Sequence, residues 1–292
     1  MHFTGTIWRP PFEASAALIQ VTAGCTHDHC KFCTLYEGIK FRMSPMDEII
    51  EDLAETKQCY PNAQRAYLTG ANPFVLHFDK LKAIALKVKE YLPEAKSIGC
   101  FSRITDFKNK TDEQLRELKE LGYDGLNIGV ESGHEPTLEF MRKGYDSCDI
   151  VEQCKRLDNA GISYNFFYLT GLAGAGKGIE SALASAEVFN QLHPKILIVT
   201  ALTIFPESDL YLDIQSGDYE TAGEFEKLHE LKTLYQNLNI EIAIMADTIS
   251  NVAPMRGLLP RDKQKMVSHL QGIIDNTDEN ELEQYREGIY HL

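Results

Sequence analysis

The chain has 292 residues, of which 43% are hydrophobic and 25% charged, an ordinary composition for a globular protein with a full core. With 29 Lys and Arg against 43 Asp and Glu, the formal net charge is −14, which disfavours binding to a phosphate backbone. Apolar runs are shorter than the ~18 residues that a spanning helix needs, and residues 1–12 lack the apolar core of a signal peptide. We therefore expect a cytoplasmic protein that binds no membrane and for which nucleic acid is a disfavoured partner.

Strand and helix patterns alternate through the first two thirds of the chain. Short apolar segments rich in β-branched and aromatic residues predict strands, and each is followed by a segment with helical spacing. The predicted strands cover 17–22, 65–69, 97–102, 125–130, 164–170 and 196–203. Predicted helices begin at Ser44-Pro45 and at the capping box Thr111–Gln114, and others cover 81–91, 150–160 and 179–192. Repeated βα units of this length indicate parallel strands with right-handed crossovers.

The alternation predicts an α/β fold, a partial (β/α)6 TIM-like barrel with a mostly helical C-terminal extension, and a doubly wound sheet is the alternative. It stops after Pro206, where helical spacing over 222–238 and 262–274 flanks a further short strand over 240–246. The predicted segments are an N-terminal extension (1–16), a core barrel (17–206) and a helical extension packed on the barrel (207–292).

Three of the seven cysteines crowd into one loop after the first predicted strand. Cys25, Cys30 and Cys33 stand at x4 and x2 spacing, at the carboxyl end of a parallel strand, where such folds build their sites. Thiolates suit an iron–sulfur cluster or zinc. Three ligands on a four-iron cluster leave one iron open to a further ligand, whereas His27 or His29 would complete a closed Cys3His zinc site. Structural zinc sites occur mostly in small domains that lack a core, so we favour the cluster.

A glycine-rich segment, Gly171–Gly178, comes close to the nucleotide-binding P-loop pattern G-x-x-x-x-G-K-[ST]. Gly178 stands where the pattern requires a hydroxyl group for Mg²⁺, and the segment follows the fifth predicted strand. A P-loop normally follows the first strand. We therefore predict no nucleoside triphosphate site at this turn.

The cysteine loop, with Phe32 directly before the last cysteine, resembles that of the radical S-adenosylmethionine (SAM) enzymes. The usual spacing there is C-x3-C-x2-C, and this loop has one residue more between its first two cysteines. The segments Leu126–Gly133 and Met141–Gly144 are similar to the fourth-strand region of one branch of that family. This branch contains oxygen-independent coproporphyrinogen oxidase, the Elp3-like proteins and the methylthiotransferases. The resemblance spans about residues 17–205.

The resemblance implies a [4Fe-4S] cluster held by Cys25, Cys30 and Cys33, with S-adenosyl-L-methionine as the second cofactor. In the family, the reduced cluster cleaves SAM to methionine and a 5′-deoxyadenosyl radical, which abstracts hydrogen from a substrate. For this chain it implies an oxygen-sensitive oxidoreductase of an anaerobic or oxygen-protected cell, acting on an unidentified small molecule. The implied electron donor is flavodoxin or ferredoxin, and Lys31, Lys40 and Arg42 around the loop are predicted to attract such an acidic carrier.

The family's SAM contacts carry over to matched positions in this chain. They are Phe32 beside the adenine, Gly70 and Asn72 in the amine-binding motif, Ser102 and Arg103 after strand three, Glu131 at the end of strand four, and Lys143 beyond it. For Glu131 and Lys143, ordinary helix-terminal charges are the structural alternative.

Cys100, on the same face of the third strand as Ser102, is the candidate catalytic residue, as a hydrogen-atom donor to a substrate radical. Burial as a small apolar residue is its structural alternative. Two alternatives to the whole interpretation stay open. One is a zinc-binding Cys3His protein without radical chemistry, and the other is an iron–sulfur electron-transfer or nucleotide-binding module.

Overall fold

The computed structural model describes residues 1–288 and divides into two compact units. Unit 1 comprises Met1–Asp28, Leu35–Gly129 and Gln153–Tyr164, and unit 2 comprises His29–Thr34, Val130–Glu152 and Asn165–Leu292. The last four residues of the predicted C-terminal extension, 289–292, lie outside the described residues. The three-segment division stays a prediction.

Strands and helices alternate along the described chain. The strands are β1 (Ala17–Gln20), β2 (Thr22–Ala23), β3 (Arg42–Met43), β4 (Arg65–Thr69), β5 (Ser97–Ser102), β6 (Leu126–Glu131), β7 (Tyr164–Thr170), β8 (Ile196–Ala201), β9 (Ile242–Met245) and β10 (Arg256–Leu259). The helices are α1 (Met46–Cys59), α2 (Phe78–Tyr91), α3 (Asp112–Glu120), α4 (Glu135–Phe140), α5 (Ser147–Ala160), α6 (Gly178–Phe189), α7 (Asp209–Ser216), α8 (Glu224–Asn237), α9 (Lys263–Asn276) and α10 (Glu279–Glu287). Short 3-10 turns cover Pro11–Glu13, Pro73–Val75 and Ile104–Phe107.

The strand ends predicted from local sequence patterns agree closely with those of the structure. β4, β5 and β7 have the predicted bounds, and the other predicted core strands differ by one or two residues at an end. The capping box of α3 is confirmed, since Thr111 Oγ1 accepts from Gln114 N at 3.2 Å and Gln114 Oε1 accepts from Thr111 N at 3.0 Å. The predicted N-cap at Ser44 is wrong, because Ser44 N donates to Val21 O at 2.9 Å and α1 begins one residue later, with Pro45 at its N-cap.

Unit 1 holds the first half of the parallel sheet. Here β1, β4, β5 and β6 lie side by side in that order, and each adjacent pair is parallel. Leu126 N, at the start of β6, donates to Ser163 O directly before β7. A separate antiparallel ladder, in which Thr22 faces Met43, joins β2 to β3 and closes the base of the cysteine loop.

A buried ion pair ties together the starts of three strands in unit 1. The guanidinium of Arg65, at the start of β4, donates to both carboxylate oxygens of Glu13 at 2.7 and 2.8 Å. It also donates to Ser97 Oγ at 2.8 Å and to the carbonyls of Asp124 and Gly125, each at 3.2 Å. The Glu13 side chain is only 4% exposed, so this network satisfies a carboxylate that burial would otherwise penalise heavily.

In unit 2, β7, β8 and β9 lie side by side in that order with each adjacent pair parallel, and β10 pairs antiparallel with β9. The predicted strand over 240–246 is therefore present, as β9, and β10 adds an edge that the sequence analysis does not predict. A buried apolar cluster, hereafter the unit 2 core, supports the carboxyl ends of these strands and consists of Met141, Leu172, Leu202, Leu210 and Tyr219. No helix within residues 1–288 has both the length and the apolar character needed to cross a membrane.

Candidate active site

The cysteine loop begins in unit 1, directly after β2. Gly24 has φ +71°, and a Cβ at this position would lie 2.3 Å from the Ile39 carbonyl oxygen, so only glycine fits here. Cys25 follows, half-buried, and all seven cysteines are present as thiols. Asp28, the last residue before the chain passes into unit 2, has φ +50°, a left-handed conformation that Asp tolerates better than most residues.

A buried polar network in unit 1 holds the residue after Cys25. Asn72 is fully buried; its Oδ1 accepts from Thr26 N at 3.3 Å, and its Nδ2 donates to Thr26 Oγ1 at 2.7 Å. The same Nδ2 donates to Asp106 at 3.0 Å, and Asp106 also accepts from Arg103 N at 2.8 Å. The amide of Asn72, predicted to bind the SAM amine, is thus used within the fold to anchor the cysteine loop.

Asp106 is a site residue that the sequence analysis missed. Burial raises the pKa of its carboxyl to about 6, while hydrogen bonds from the Arg103 backbone and the Asn72 side chain oppose the rise. The sequence does contain a signal, because Asp106 stands at the third position of the 3-10 turn that Arg103 caps.

The other predicted unit 1 contacts lie at strand ends. Gly70 follows β4 with φ +133°, and a Cβ there would lie 2.6 Å from the Thr22 carbonyl oxygen, so close packing requires the glycine. Ser102 ends β5, is 3% exposed and has an Oγ without a hydrogen-bond partner among the described residues. Such an orphaned hydroxyl is the kind of group that a bound ligand satisfies. The Arg103 side chain donates to Thr105 Oγ1 at 3.1 Å.

Cys100 lies in the middle of β5 and is fully buried. Burial raises the pKa of its thiol far above the ordinary range, with the Asp106 carboxylate adding to the rise, so it stays an S–H group at neutral pH. A protonated thiol is the form that a hydrogen-atom donor needs, and the catalytic role stays a prediction.

The second part of the cysteine loop belongs to unit 2 and is held by its backbone. Cys33 N donates to Cys30 O at 3.1 Å, which closes a tight turn between these two cysteines. Lys31 N donates to Met141 O at 3.2 Å, and Leu210 N donates to Lys31 O at 2.8 Å. The turn is therefore fixed by α7 and by the residue that follows α4, two helices that the sequence analysis does not predict.

The structure pairs Lys31 within unit 2, while attraction of an electron carrier by Lys31, Lys40 and Arg42 stays a prediction. Its ammonium donates to Asp213 Oδ2 at 2.7 Å and lies 3.9 Å from the centroid of the Phe140 ring. The side chain is only 11% exposed. The charge is neutralised within unit 2, because the same turn that carries the cysteines packs against α4 and α7.

Three predicted SAM contacts come together in unit 2. Glu131 ends β6, and its Oε1 lies 3.6 Å from the Nζ of buried Lys143. The same Nζ lies 5.5 Å from the centroid of the Phe32 ring and 5.6 Å from that of Tyr145. Phe32 itself packs against the unit 2 core. Tyr145, which the sequence analysis missed, donates its hydroxyl to Val130 O at 3.3 Å and thereby fixes the end of β6.

Glu131 combines a strained backbone with a half-buried carboxyl group. Its φ of +63° lies in the left-handed region, which costs a non-glycine residue about 1–3 kcal/mol. Burial raises the pKa of its carboxyl, and the nearby Lys143 ammonium opposes that rise. Strain together with a buried ion pair at a strand end is typical of a functional site rather than of an ordinary helix cap.

In the glycine-rich turn, glutamate carboxylates accept hydrogen bonds from backbone N–H groups that would otherwise be available to a phosphate. Gly171 N donates to Glu230 Oε2 at 2.8 Å, and Gly178 N donates to Glu226 Oε1 at 3.5 Å. Tyr168 OH also donates to Glu230, at 2.6 Å. These acids oppose a bound phosphate electrostatically, in agreement with the missing hydroxyl at Gly178.

Glu230 makes the turn sensitive to pH. Burial raises the pKa of its carboxyl from 4.5 to about 7, against the hydrogen bonds from Tyr168 and Gly171. Between these pH values the folded state holds a proton that the unfolded state has released, so the free energy of unfolding falls as pH rises. Urea unfolding measures the effect. As pH rises from 4.5 to 7.5, the free energy of unfolding of Glu230→Gln should increase relative to that of the native protein by up to about 3 kcal/mol, since each pKa unit is worth about 1.4 kcal/mol. Exposed Glu187→Gln is the control, and parallel pH profiles for native protein and Glu230→Gln would contradict the assignment.

The donor set of the cysteine loop fits an iron–sulfur cluster by its chemistry. Cys25 and Cys30 are half-buried and Cys33 is exposed, and thiolates are the ordinary ligands of such clusters. Across residues 1–288, no group of three or more His, Cys, Asp or Glu side chains is gathered closely enough to hold a metal ion. The ligand assignment therefore rests on donor type and spacing, and on the orphaned Ser102 hydroxyl and the strained Glu131 as polar groups suited to a cofactor.

Comparison with known proteins identifies the class. The sequence profile of the Radical SAM superfamily matches residues 19–179, more than half of the chain, and the chain belongs to that superfamily. It is 26% identical to an uncharacterised protein of Methanocaldococcus jannaschii, over 70% of this chain and 66% of that one. It is 23% identical to the heme chaperone HemW of Bacillus subtilis, over 62% of this chain and 50% of that one. The chain thus spans about half to two thirds of the length of these relatives.

A solved structure shows the same fold. Coproporphyrinogen III oxidase (HemN) from Escherichia coli, described as a radical SAM enzyme, matches with a TM-score of 0.54 and 16% identity, over 75% of this chain and 52% of that one. The expected fold class, a partial (β/α)6 barrel with a mostly helical C-terminal extension, is confirmed by this likeness, as is the resemblance to the coproporphyrinogen oxidase branch.

Proposed function

We propose that this protein uses a [4Fe-4S] cluster on Cys25, Cys30 and Cys33 to cleave SAM reductively to a 5′-deoxyadenosyl radical, which abstracts hydrogen from an unidentified small molecule. The observation that carries the proposal is the convergence of Phe32, Glu131 and Lys143 in unit 2. These residues come from three separate segments, and each matches a SAM contact of the family. A strained, buried carboxylate beside a buried ammonium is costly unless it serves a ligand.

When bound, the cluster would supply the electron that splits SAM into methionine and a 5′-deoxyadenosyl radical able to abstract hydrogen from a substrate. The residues of the chain have separate tasks. Phe32 offers a ring face to the adenine, Glu131 accepts hydrogen bonds from the ribose or the methionyl amine, and Lys143 neutralises the SAM carboxylate. Reduction by flavodoxin or ferredoxin in the cytoplasm is part of the proposal, and it rests on the family's need for an electron donor.

The test is the EPR spectrum of the dithionite-reduced protein, purified without oxygen and reconstituted with iron and sulfide. We expect a [4Fe-4S]⁺ signal that changes on addition of SAM, together with formation of 5′-deoxyadenosine. Glu131→Gln should keep the signal seen without SAM but need at least tenfold more SAM to change it, because charge-assisted hydrogen bonds are worth roughly 1.5–3 kcal/mol.

Exposed Glu135→Gln, four residues further along in α4, serves as the matched control and should respond to SAM like the native protein. A colourless, EPR-silent protein with one tightly bound zinc would refute the proposal and leave the three cysteines as a structural clip. A cluster signal indifferent to SAM would favour an electron-transfer module.

A further inference from the structure

A cavity of about 510 Å³ opens in unit 2 where β7 and β8 end. Gly171 follows β7 and Thr203 lies two residues beyond β8, so the cavity lies at the carboxyl ends of two parallel strands. Helices α8 and α10 supply its charged wall through Glu224, Lys227 and Arg286. Its volume lies within the roughly 300–1,000 Å³ typical of small-molecule sites.

In the charged wall, one buried carboxylate is bound by two cations. Glu224 is 2% exposed. Its Oε1 accepts from Lys227 Nζ at 2.7 Å and from Arg286 Nε, and its Oε2 accepts from Arg286 Nη2 at 2.9 Å. One carboxylate is thus shared by two cations. Glu283, also in the lining and exposed to solvent, brings the charged lining residues to two acids and two cations.

Three further acids, Glu226, Glu230 and Glu279, lie close to this wall. Glu230 lies on α8 next to Lys227, and its carboxylate is occupied by Tyr168 and Gly171. Burial raises the pKa of the Glu230 carboxyl to about 7, so this group is protonated in about half of the molecules at pH 7.

Two polar atoms of the same cavity wall lack partners. Thr203 Oγ1 and Arg286 Nη1 are buried, and neither makes a hydrogen bond within the described residues. The other guanidinium nitrogens of Arg286 are occupied by Glu224 and by Ser250 O at 2.9 Å. Unsatisfied buried donors are costly, and two on one cavity indicate a ligand group that accepts hydrogen bonds.

We propose that this cavity binds a carboxylate group of the substrate, which accepts hydrogen bonds from Arg286 Nη1 and Thr203 Oγ1. In calling the ligand a substrate, the inference rests on the proposed function. A carboxylate suits the wall better than a phosphate monoester does, because the two unmet donors match the two oxygens of a carboxylate, and a lining of two cations and two acids has no excess positive charge for a dianion. A phosphate carries about −1.5 to −2 charges and three acceptor oxygens, and it would leave part of that charge unpaired.

The experiment uses benzoate as probe, benzamide as its neutral counterpart and phenyl phosphate as the phosphate arm, with binding to the full-length protein measured by ligand-observed NMR. We expect benzoate to bind at least about tenfold more tightly than benzamide and no more weakly than phenyl phosphate. Arg286→Gln should weaken benzoate binding at least about tenfold. Thr203→Val, which keeps the Arg286–Glu224 pair and the side-chain volume, should weaken it about threefold or more.

Arg261→Gln is the matched control, because Arg261 is 71% exposed and lies outside the cavity lining, and it should bind benzoate like the native protein. Equal binding of benzoate and benzamide, absence of benzoate binding at 10 mM (about the weak limit of such probes), or benzoate binding unaffected by both cavity variants would overturn the inference. Tighter binding of phenyl phosphate would show that the cavity binds a phosphate group and not a carboxylate.

SAM cleavage is measured on the same preparations. Benzoate binding without 5′-deoxyadenosine formation would refute the proposed function alone, and the reverse would refute the cavity assignment alone.

Discussion

Replacement of Cys30 by alanine should yield a colourless protein that holds well under one iron per chain after reconstitution, against about four for the native protein. The turn is expected to survive, because the Cys33 N–H donates to the carbonyl oxygen of residue 30, and not to its side chain. The backbone bonds of Lys31 to Met141 and Leu210 are likewise independent of the thiol. The variant therefore removes a ligand and keeps the loop. The measurements are iron content, absorbance near 400 nm and 5′-deoxyadenosine formation.

Cys59→Ala is the control, since Cys59 is an exposed thiol at the end of α1, far in sequence from the cysteine loop. It should bind iron like the native protein. Full iron content and brown colour in Cys30→Ala would show that this cysteine is not a ligand. Retained colour with lost SAM cleavage would point to a cluster held by other thiols.

Replacement of Arg65 by methionine should lower the free energy of unfolding of the protein by about 3–5 kcal/mol. Methionine keeps much of the side-chain volume but leaves the buried Glu13 carboxylate without a counter-charge. It also removes the donors to Ser97 and to the carbonyls of Asp124 and Gly125. Urea unfolding followed by circular dichroism measures the change.

A second variant separates the cost of the unpaired Glu13 carboxylate from the cost of the other contacts that Arg65 loses. Glu13→Gln combined with Arg65→Met should destabilise less than Arg65→Met alone, because no buried charge is left unpaired. Arg116→Met is the control, since Arg116 is 54% exposed and pairs with exposed Glu113, and it should change stability by less than about 0.5 kcal/mol. An equal loss for the single and the double variant would show that the unpaired Glu13 charge contributes nothing to the loss.

The core of the fold is readable from sequence where the signal is local. β4, β5 and β7 are buried runs bounded by polar or turn residues, and the capping box of α3 is a contact between neighbours in sequence. α4 and α7 are missed because they have six and eight residues, too short to show a helical period. Their stability comes from packing on the unit 2 core, where Met141 and Leu210 are fully buried.

The candidate site shows the same contrast between local sequence signals and contacts distant in sequence. Glu131 and Lys143 could be predicted because the motif around them resembles the family's, and the structure brings them together. Asn72 and Lys31 are found engaged elsewhere, with partners 34 to 182 residues away in sequence, a relation that no local pattern contains. Glu230 was missed for a related reason. A single acid in an amphipathic helix carries no sign that it is buried.

The left-handed conformation of Asp28 offers a structural reason for the additional residue between the first two cysteines. A residue with positive φ reverses the chain locally, so an additional residue can be taken up as a kink and need not lengthen the path. The anchors on either side, Asn72 holding Thr26 and Met141 holding Lys31, each act on backbone N–H groups. The number of residues between the first two cysteines is then a property of the turn chemistry. A motif search that counts residues strictly would pass over enzymes whose loops differ from the common form only by such a kink.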